Sequence, residues 1–395
     1  MKNAGPLRLA AMLAAGCVAC ASSSGSPTGT EEASPLDAAH DAPPFRFDAA
    51  CGNIETDPLN CGGCGIQCQG GLCVDGLCSA PLPGVLASGQ VTPTGIVVDD
   101  TNVYWIDQGM QQSSGTYTNA QVMKCAKSGC ANAPAVLASG SWNHTTRLAI
   151  SGGTLYWAAP NLVLACPTTG CTGGATVLST SPLAPTDIAV DETGIYVGDS
   201  IQNALLTFPL AGGMGPTVLW MSSVAPSAVA VDGPTAYFGT AGVSLLTCGT
   251  TGCTSLVLGG DPTAVDVAGG VVYIGTQAEQ APGAIASCPE AHCAAGSTIL
   301  TTGLSHCAGI AVDSTNIYFT DLGTTGADGG TIFSGSGDVE KCPISGCSEK
   351  PTPIAAFVNF PQQIAVDDAS VYWTDFGSST DVHSSDNGRV MAIPK

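Results

Sequence analysis

Ile96-Val-Val-Asp-Asp-Thr-Asn-Val-Tyr-Trp-Ile-Asp107, Ile310-Ala-Val-Asp-Ser-Thr-Asn-Ile-Tyr-Phe-Thr-Asp321 and Ile364-Ala-Val-Asp-Asp-Ala-Ser-Val-Tyr-Trp-Thr-Asp375 are three copies of one pattern. Each runs from a short apolar stretch through an Asp and a turn to a Tyr and a polar stop. Weaker copies centre on Tyr156, Tyr196, Tyr237 and Tyr273, so seven anchors recur 36 to 54 residues apart. That is the spacing at which four short strands make one propeller blade. The sequence therefore predicts an all-β chain built as a seven-bladed β-propeller.

Within each repeat the Ile-Ala-Val type run reads as strand A and the Tyr segment as strand B. The turn between them opens on Asp99, Asp191, Asp232, Asp313 or Asp367, an acid placed to accept backbone N–H bonds. Ser151 and Ala268 stand there in blades two and five, which argues against an essential ligand set. Strand C is typified by Val122-Met-Lys-Cys125 and strand D by Val136-Leu-Ala-Ser-Gly140. The last repeat stops after strand C, at Lys395. Its fourth strand is expected from the start of the ring, because Val85-Leu-Ala-Ser-Gly89 is identical to Val136–Gly140. Such sharing would pair the open edges at both ends of the chain.

The 19 Cys are grouped. Cys125/Cys130, Cys166/Cys171, Cys248/Cys253, Cys288/Cys293 and Cys342/Cys347 are spaced for hairpin disulfides between strands C and D. Metal binding by these pairs fails on geometry, since hairpins of separate blades point apart. Cys51, Cys61, Cys64, Cys68, Cys73 and Cys78 crowd a segment too small for a hydrophobic core, so three disulfides among them would substitute for one. Cys20 and Cys307 have no evident partner.

Residues 1–16 read as a signal peptide: Lys2 and Arg8 precede an apolar run from Leu9 to Ala21 that is too short to span a bilayer. Leu13-Ala-Ala-Gly-Cys17 resembles a bacterial lipobox, which implies lipidation at Cys17. The alternative is an ordinary secretory signal cut near Ala21. Residues 17–50 read as a flexible tether, 51–79 as a small disulfide-rich module and 80–395 as the propeller. Cysteine usage and leader together imply an exported protein in the cell envelope, lipid-anchored and facing the periplasm or the cell exterior, or else secreted. The net charge of −21 makes nucleic acid and anionic lipid poor partners, so membrane contact would come only through the lipid anchor.

Asp57-Pro-Leu-Asn-Cys-Gly-Gly-Cys-Gly65 resembles the Cys-rich modules of predicted bacterial surface lipoproteins. Tyr372-Trp-Thr-Asp375, Tyr318-Phe-Thr-Asp321 and Tyr104-Trp-Ile-Asp107 are similar to the YWTD propellers of lipoprotein-receptor ectodomains and their bacterial relatives. The chain departs from those rings in count, as they usually have six blades. What the resemblance implies is protein binding on one face.

Loop lengths point the same way. The B–C connections are short in blades two to four and long in blades one, six and seven, which a closed ring makes neighbours. They run Gln108 to Ala120, Leu322 to Asp338 and Phe376 to Gly388, rich in residues that hydrogen-bond a polar partner. His144, His306 and His383 fall on that face, beside Asp107, Asp321 and Asp375 at the ends of strand B. The expectation is a binding or scaffold protein offering this face to a protein or glycan, with no catalytic residue and no cofactor. The rival is a lyase or lactonase-like hydrolase at the central funnel. A divalent cation in the channel would accompany it, but no metal motif supports one, and the inner strands carry few polar groups besides Asp187 and Asp266.

Overall fold

The computed structural model describes residues 47–48, 52–56, 60–64, 73–78 and 83–395, apart from 112–116, 143–146, 182, 214, 243, 250–251, 259, 278–281, 324–335, 348–349 and 378–386. Cys17, Cys20, Cys51 and Cys68 lie outside these residues, as does the leader. Seven four-stranded antiparallel sheets follow one another in chain order. Blade one runs from Pro93–Val98 to Ala135–Gly140, blade two from Ala149–Ser151 to Thr176–Ser179, and blade three from Pro185–Val190 to Thr217–Met221. Blade four spans Pro226–Asp232 to Gly252–Val257, blade five Asp261–Ala268 to Thr298–Leu304, and blade six Cys307–Val312 to Thr352–Val358. Blade seven is composite. Pro361–Val366, Ser370–Asp375 and Gly388–Pro394 are completed by Gly84–Gln90, which pairs Val85 with Met391 and Ala87 with Val390.

The Tyr anchor owes its recurrence to the period-two alternation of a strand. Successive side chains point to opposite faces, so the Tyr meets the following blade and its neighbours in sequence meet the preceding one. Tyr104 packs with Leu155 and Trp157, Tyr196 with Ala236 and Phe238, and Tyr372 with Val103 and Trp105. The core is thus seven separate layers, one per seam between blades, and the seventh joins the last blade to the first.

Blades three to five depart from the YWTD pattern for a packing reason. Gly198, Gly239 and Gly275 stand where blades six and seven carry Thr320 and Thr374. A methyl group on them would run into Pro226, Pro262 and Cys307 at the start of the next blade. Glycine is required there by close approach. Cys307 is accordingly a buried wedge in a proline's place.

The hairpin cysteines form five disulfides, Cys125–Cys130, Cys166–Cys171, Cys248–Cys253, Cys288–Cys293 and Cys342–Cys347. Each belongs to a seam as well as to its hairpin. The strand D residues Leu86, Leu137, Leu219, Leu256 and Leu300 of the preceding blade pack on them in all five seams. Where the pair is missing, Phe208 and Leu210 meet Leu178, and Ile393 meets Ile354. The disulfide is an apolar plug as much as a loop closure.

Strand D is the exposed edge of each blade, with Val85, Val136, Val177, Val218 and Ile299 open to solvent. In every blade but the fourth, the pairing of strands C and D slips by a residue, as between Val122 and Met123. Such bulges bend an edge and interrupt its ladder, which discourages strand addition.

Ahead of the ring, Cys73–Val74 pairs with Leu77–Cys78 around Asp75-Gly76, both at positive φ as a two-residue Asp-Gly hairpin turn requires. A disulfide joins Cys61 to Cys73, and Cys64 is also disulfide-bonded. Phe47–Asp48 pairs with Gly52–Asn53, so strand pairing begins inside the stretch that composition marks as tether.

Candidate functional site

Strand B ends on the same rim of the ring as the D–A loops, and the acids there are turned inward. Asp107, Asp321 and Asp375 are all buried, with Asp199 of blade three beside them in kind. Asp321 accepts backbone N–H bonds from Ser305 (2.9 Å), His306 (2.8 Å) and Gly323 (3.2 Å). Asp199 accepts them from Ala184, Ile201 and Gln202. Asp375 holds Gly377 at 2.9 Å, and Asp107 holds Val91 at 3.3 Å. Each carboxylate therefore ties the base of its B–C loop, its D–A loop, or both, to the end of strand B.

The arrangement is less well satisfied in blade one. Asp107 Oδ1 has no hydrogen-bond partner, and burial pushes the carboxyl up to about 7. Burial likewise lifts Asp375 to about 6. In blade six burial raises Asp338 to about 6 and Glu340 to about 7, helped by repulsion from Asp321. His306 pairs across to Gln277 as an isolated bridge, and its imidazole is pushed down by burial despite the attraction of Asp321. His144 and His383 lie outside the described residues.

The long B–C connections begin at the ends of the B strands. They come from blades six, seven and one, which are consecutive in the closed ring. In blade one the loop carries a small ladder of its own, Met110–Gln111 against Tyr117–Thr118. Gly109, at φ 80°, lies against the Thr118 carbonyl where no side chain would fit.

The inner strands line the centre, and there the structure adds a pair that the repeats hide. Arg147, just ahead of strand A in blade two, meets Asp187 of blade three, with Nε 3.1 Å from Oδ1. Asp187 also accepts from Ile188 (2.8 Å) and, across the next seam, from Val229 (2.7 Å). Burial drives this carboxyl up against the pull of Arg147. Asp266 of blade five repeats the device, bonding Val267 at 2.9 Å and Val312 of blade six at 3.0 Å, and burial lifts it to about 6. Both acids staple one strand A to the next. The sequence signal was Arg147 itself, one of only ten basic residues, set beside an inner strand.

At the centre Asp187 accepts three donors and Asp266 two, which commits much of their acceptor capacity to the backbone of the ring. Among the described residues no three His, Cys, Asp or Glu side chains converge as a metal site needs.

No protein-family model and no curated protein matches this sequence. Among solved structures the chain is similar to a catalytically inactive virginiamycin B lyase from Staphylococcus aureus with quinupristin (TM-score 0.59, 12% identity, 79% of this chain and 98% of that one). It is also similar to U3-55K (0.56, 12%, 79% and 98%) and to a streptogramin B lyase (0.55, 13%, 79% and 97%). At such identities the likeness is one of fold alone.

Proposed function

We propose that this is an exported binding or scaffold protein, lipid-anchored at Cys17, that presents the rim formed by blades six, seven and one to a protein or glycan. The observation that carries the reading is the construction of that rim. Three long polar connections belong to three consecutive blades; the buried carboxylates of Asp321 and Asp375 fix the bases of two through Gly323 and Gly377, and Asp107 holds the adjoining D–A connection through Val91. A rigid scaffold under variable loops is the usual way a fold displays a recognition surface. The several disulfides support an extracytoplasmic setting.

The competing reading is an enzyme at the central funnel, favoured by one observation: the ionisable groups Arg147, Asp187 and Asp266 stand at the ring's centre, with Asp187 buried and the other two half-buried. Their carboxylates hold the backbone of the next blade, which suits stapling better than turnover.

Photo-crosslinking separates the two. A crosslinking residue is placed in turn at Thr118, Thr325 and Ser379 in the long connections, and at the exposed Ser128 and Ser345 in the hairpins of the other end. Envelope partners captured only from the first three positions are the expected result. Equal capture from both ends, or none, would overturn the reading, and Cys17→Ser should meanwhile release the protein from the membrane fraction.

A further inference from the structure

The end of the ring opposite those loops carries the A–B turns and the C–D hairpins, and one notch recurs there at every seam. Its floor is the strand B Tyr and its wall is the Asp that opens the A–B turn. Two positions in the chain reach it. One is the strand C residue paired opposite the Tyr, Lys124 in blade one. The other lies just past strand C of the following blade, as Lys127 and Lys395 do.

Three seams are filled alike. Lys124 Nζ sits 5.7 Å from the centre of the Tyr104 ring and donates to the Thr168 carbonyl across the seam. Lys395 Nζ lies 5.7 Å over Tyr318 and 2.6 Å from Asp313. Lys127 Nζ lies 5.9 Å over Tyr372 and 2.6 Å from Asp367. In each, the Tyr hydroxyl donates to Oδ2 of the Asp. Two seams dispense with charge altogether: Ser151 and Ala268 replace the Asp, and Leu210 and Ile344 stand at the second position. The seam of blades four and five sets Asp232 against Glu290.

The seam of blades three and four breaks the rule differently. It keeps Asp191 and Tyr196 but has Thr207 opposite the Tyr and, in sequence, Thr250 at the second position. Neither supplies a cation. Here the surface opens into a cleft of about 450 Å³, walled by Tyr196, Thr207, Phe208, Pro209 and Leu219. The Tyr196 hydroxyl turns to Thr193 Oγ1 at 2.8 Å, and Asp191 Oδ2 is left with no hydrogen-bond partner.

We propose that this cleft binds an alkylammonium group from outside the chain, in the place that Lys124, Lys127 and Lys395 fill at other seams. The ammonium lies over the Tyr196 ring with Asp191, which stands behind Thr193, as countercharge, and an aliphatic stem runs along Leu219. The net charge of −21 draws such a group in. A lysine side chain of a partner polypeptide and a free diamine share this chemistry.

The test is titration calorimetry of the intact protein with Nα-acetyl-lysine methylamide, cadaverine and the uncharged Nα-acetyl-norleucine methylamide. Both amines should bind saturably and the norleucine compound should not. Asp191→Asn should weaken the amines about tenfold or more, a difference of ~1.4 kcal/mol. Thr207→Lys, which copies Lys124, should plug the cleft, abolish binding and raise the melting temperature. A lysine-containing peptide tighter than cadaverine assigns the site to a polypeptide, and equal affinity assigns it to free amines. No saturable binding, equal binding of the norleucine compound, or undiminished binding by Thr207→Lys would overturn the proposal.

Discussion

Lys395, the last residue of the sequence, places its ammonium 2.6 Å from Asp313 Oδ2 and so latches blade seven onto blade six. Lys127 does the same between blade one and blade seven, against Asp367. The seams flanking the composite blade thus carry two of the three ion pairs among the described residues, while the five hairpin disulfides belong to blades one, two, four, five and six. The pattern has a physical logic. A composite blade is held by strand pairing alone, without a covalent connection across its outermost step, and a charge latch on both flanks resists its fraying.

Replacing Lys395 or Lys127 by Met keeps the stem and removes the charge. Each substitution should destabilise by about 1 kcal/mol, since the pair is partly exposed and the ring contact adds a little. Thermal unfolding should shift down by ~2 °C for either variant. The two effects should shrink in high salt. Variants that melt with the parent at low salt would show that the latch holds nothing.

Stability should peak in mild acid. Asp107 and Glu340 sit at about 7, and Asp266, Asp338 and Asp375 at about 6, all raised chiefly by burial. A carboxyl raised on folding binds its proton more tightly folded, so its contribution is full below the ordinary carboxylate range and is lost as pH rises through 6 to 7. Asp99 and Asp367 run the other way. Burial would raise them, but bonds from Tyr104 and backbone N–H groups hold Asp99 at about 2, and Lys127 with backbone N–H groups lowers Asp367. Their contribution is lost as pH falls below about 4. His306, lowered by burial, also opposes acid below about 6.5. Five acids outweigh one imidazole, so the melting temperature should be highest near pH 4, where the two groups of acids balance, and decline until about pH 7. Asp107→Asn should flatten that decline, and a profile level from pH 5 to 8 in the parent would contradict the assignment.

The wedge of Cys307 against Gly275 gives a sharper packing test. Gly275→Ala should destabilise by about 1–3 kcal/mol through overpacking, because the new methyl meets Cys307 Sγ. Cys307→Gly in the same protein should recover much of that loss, whereas it should not rescue Gly239→Ala, which meets Pro262 instead. Chemical denaturation of the four variants reads the coupling directly. Independent, additive losses would mean that the two residues do not touch.

The ring was legible because the Tyr anchor is a local pattern repeated seven times and the Asp turn accompanies it in five of the repeats. The seventh sheet was foreshadowed by the identity of Val85–Gly89 with Val136–Gly140, and Gly84–Gln90 does pair with Gly388–Pro394. The reasons for the weak repeats were not legible, since Gly198, Gly239 and Gly275 answer to residues of the next blade some thirty positions on. The same distance hid the site. Asp107, Asp321 and Asp375 were visible as acids, but their direction toward backbone N–H groups depends on D–A loops that enter from before strand A. Arg147 and Asp187 lie in different repeats, and no spacing rule within one repeat could couple them.

Thiol chemistry tests the whole arrangement at once. Among the described residues Cys307 is the one free cysteine, buried against Gly275. Burial drives its thiol well above the ordinary range, so it should resist alkylation in the native protein. Under denaturing but non-reducing conditions it should react fully, and peptide mapping should return the five disulfides of the i/i+5 kind together with Cys61–Cys73. The seam contacts add a consequence that loop closure alone does not have. Closing so short a loop contributes at most about 2 kcal/mol in the chain-entropy model. Replacing Cys125 and Cys130 together by Ala also strips apolar bulk from beneath Leu86, in the outer strand that the two ends of the ring share. The corresponding change at Cys248 and Cys253 strips bulk from beneath Leu219 instead, so only the first double variant should show faster amide exchange in Gly84–Gln90. Rapid native alkylation of Cys307, cross-links between different blades, or equal exchange in both double variants would each count against the structure of these seams.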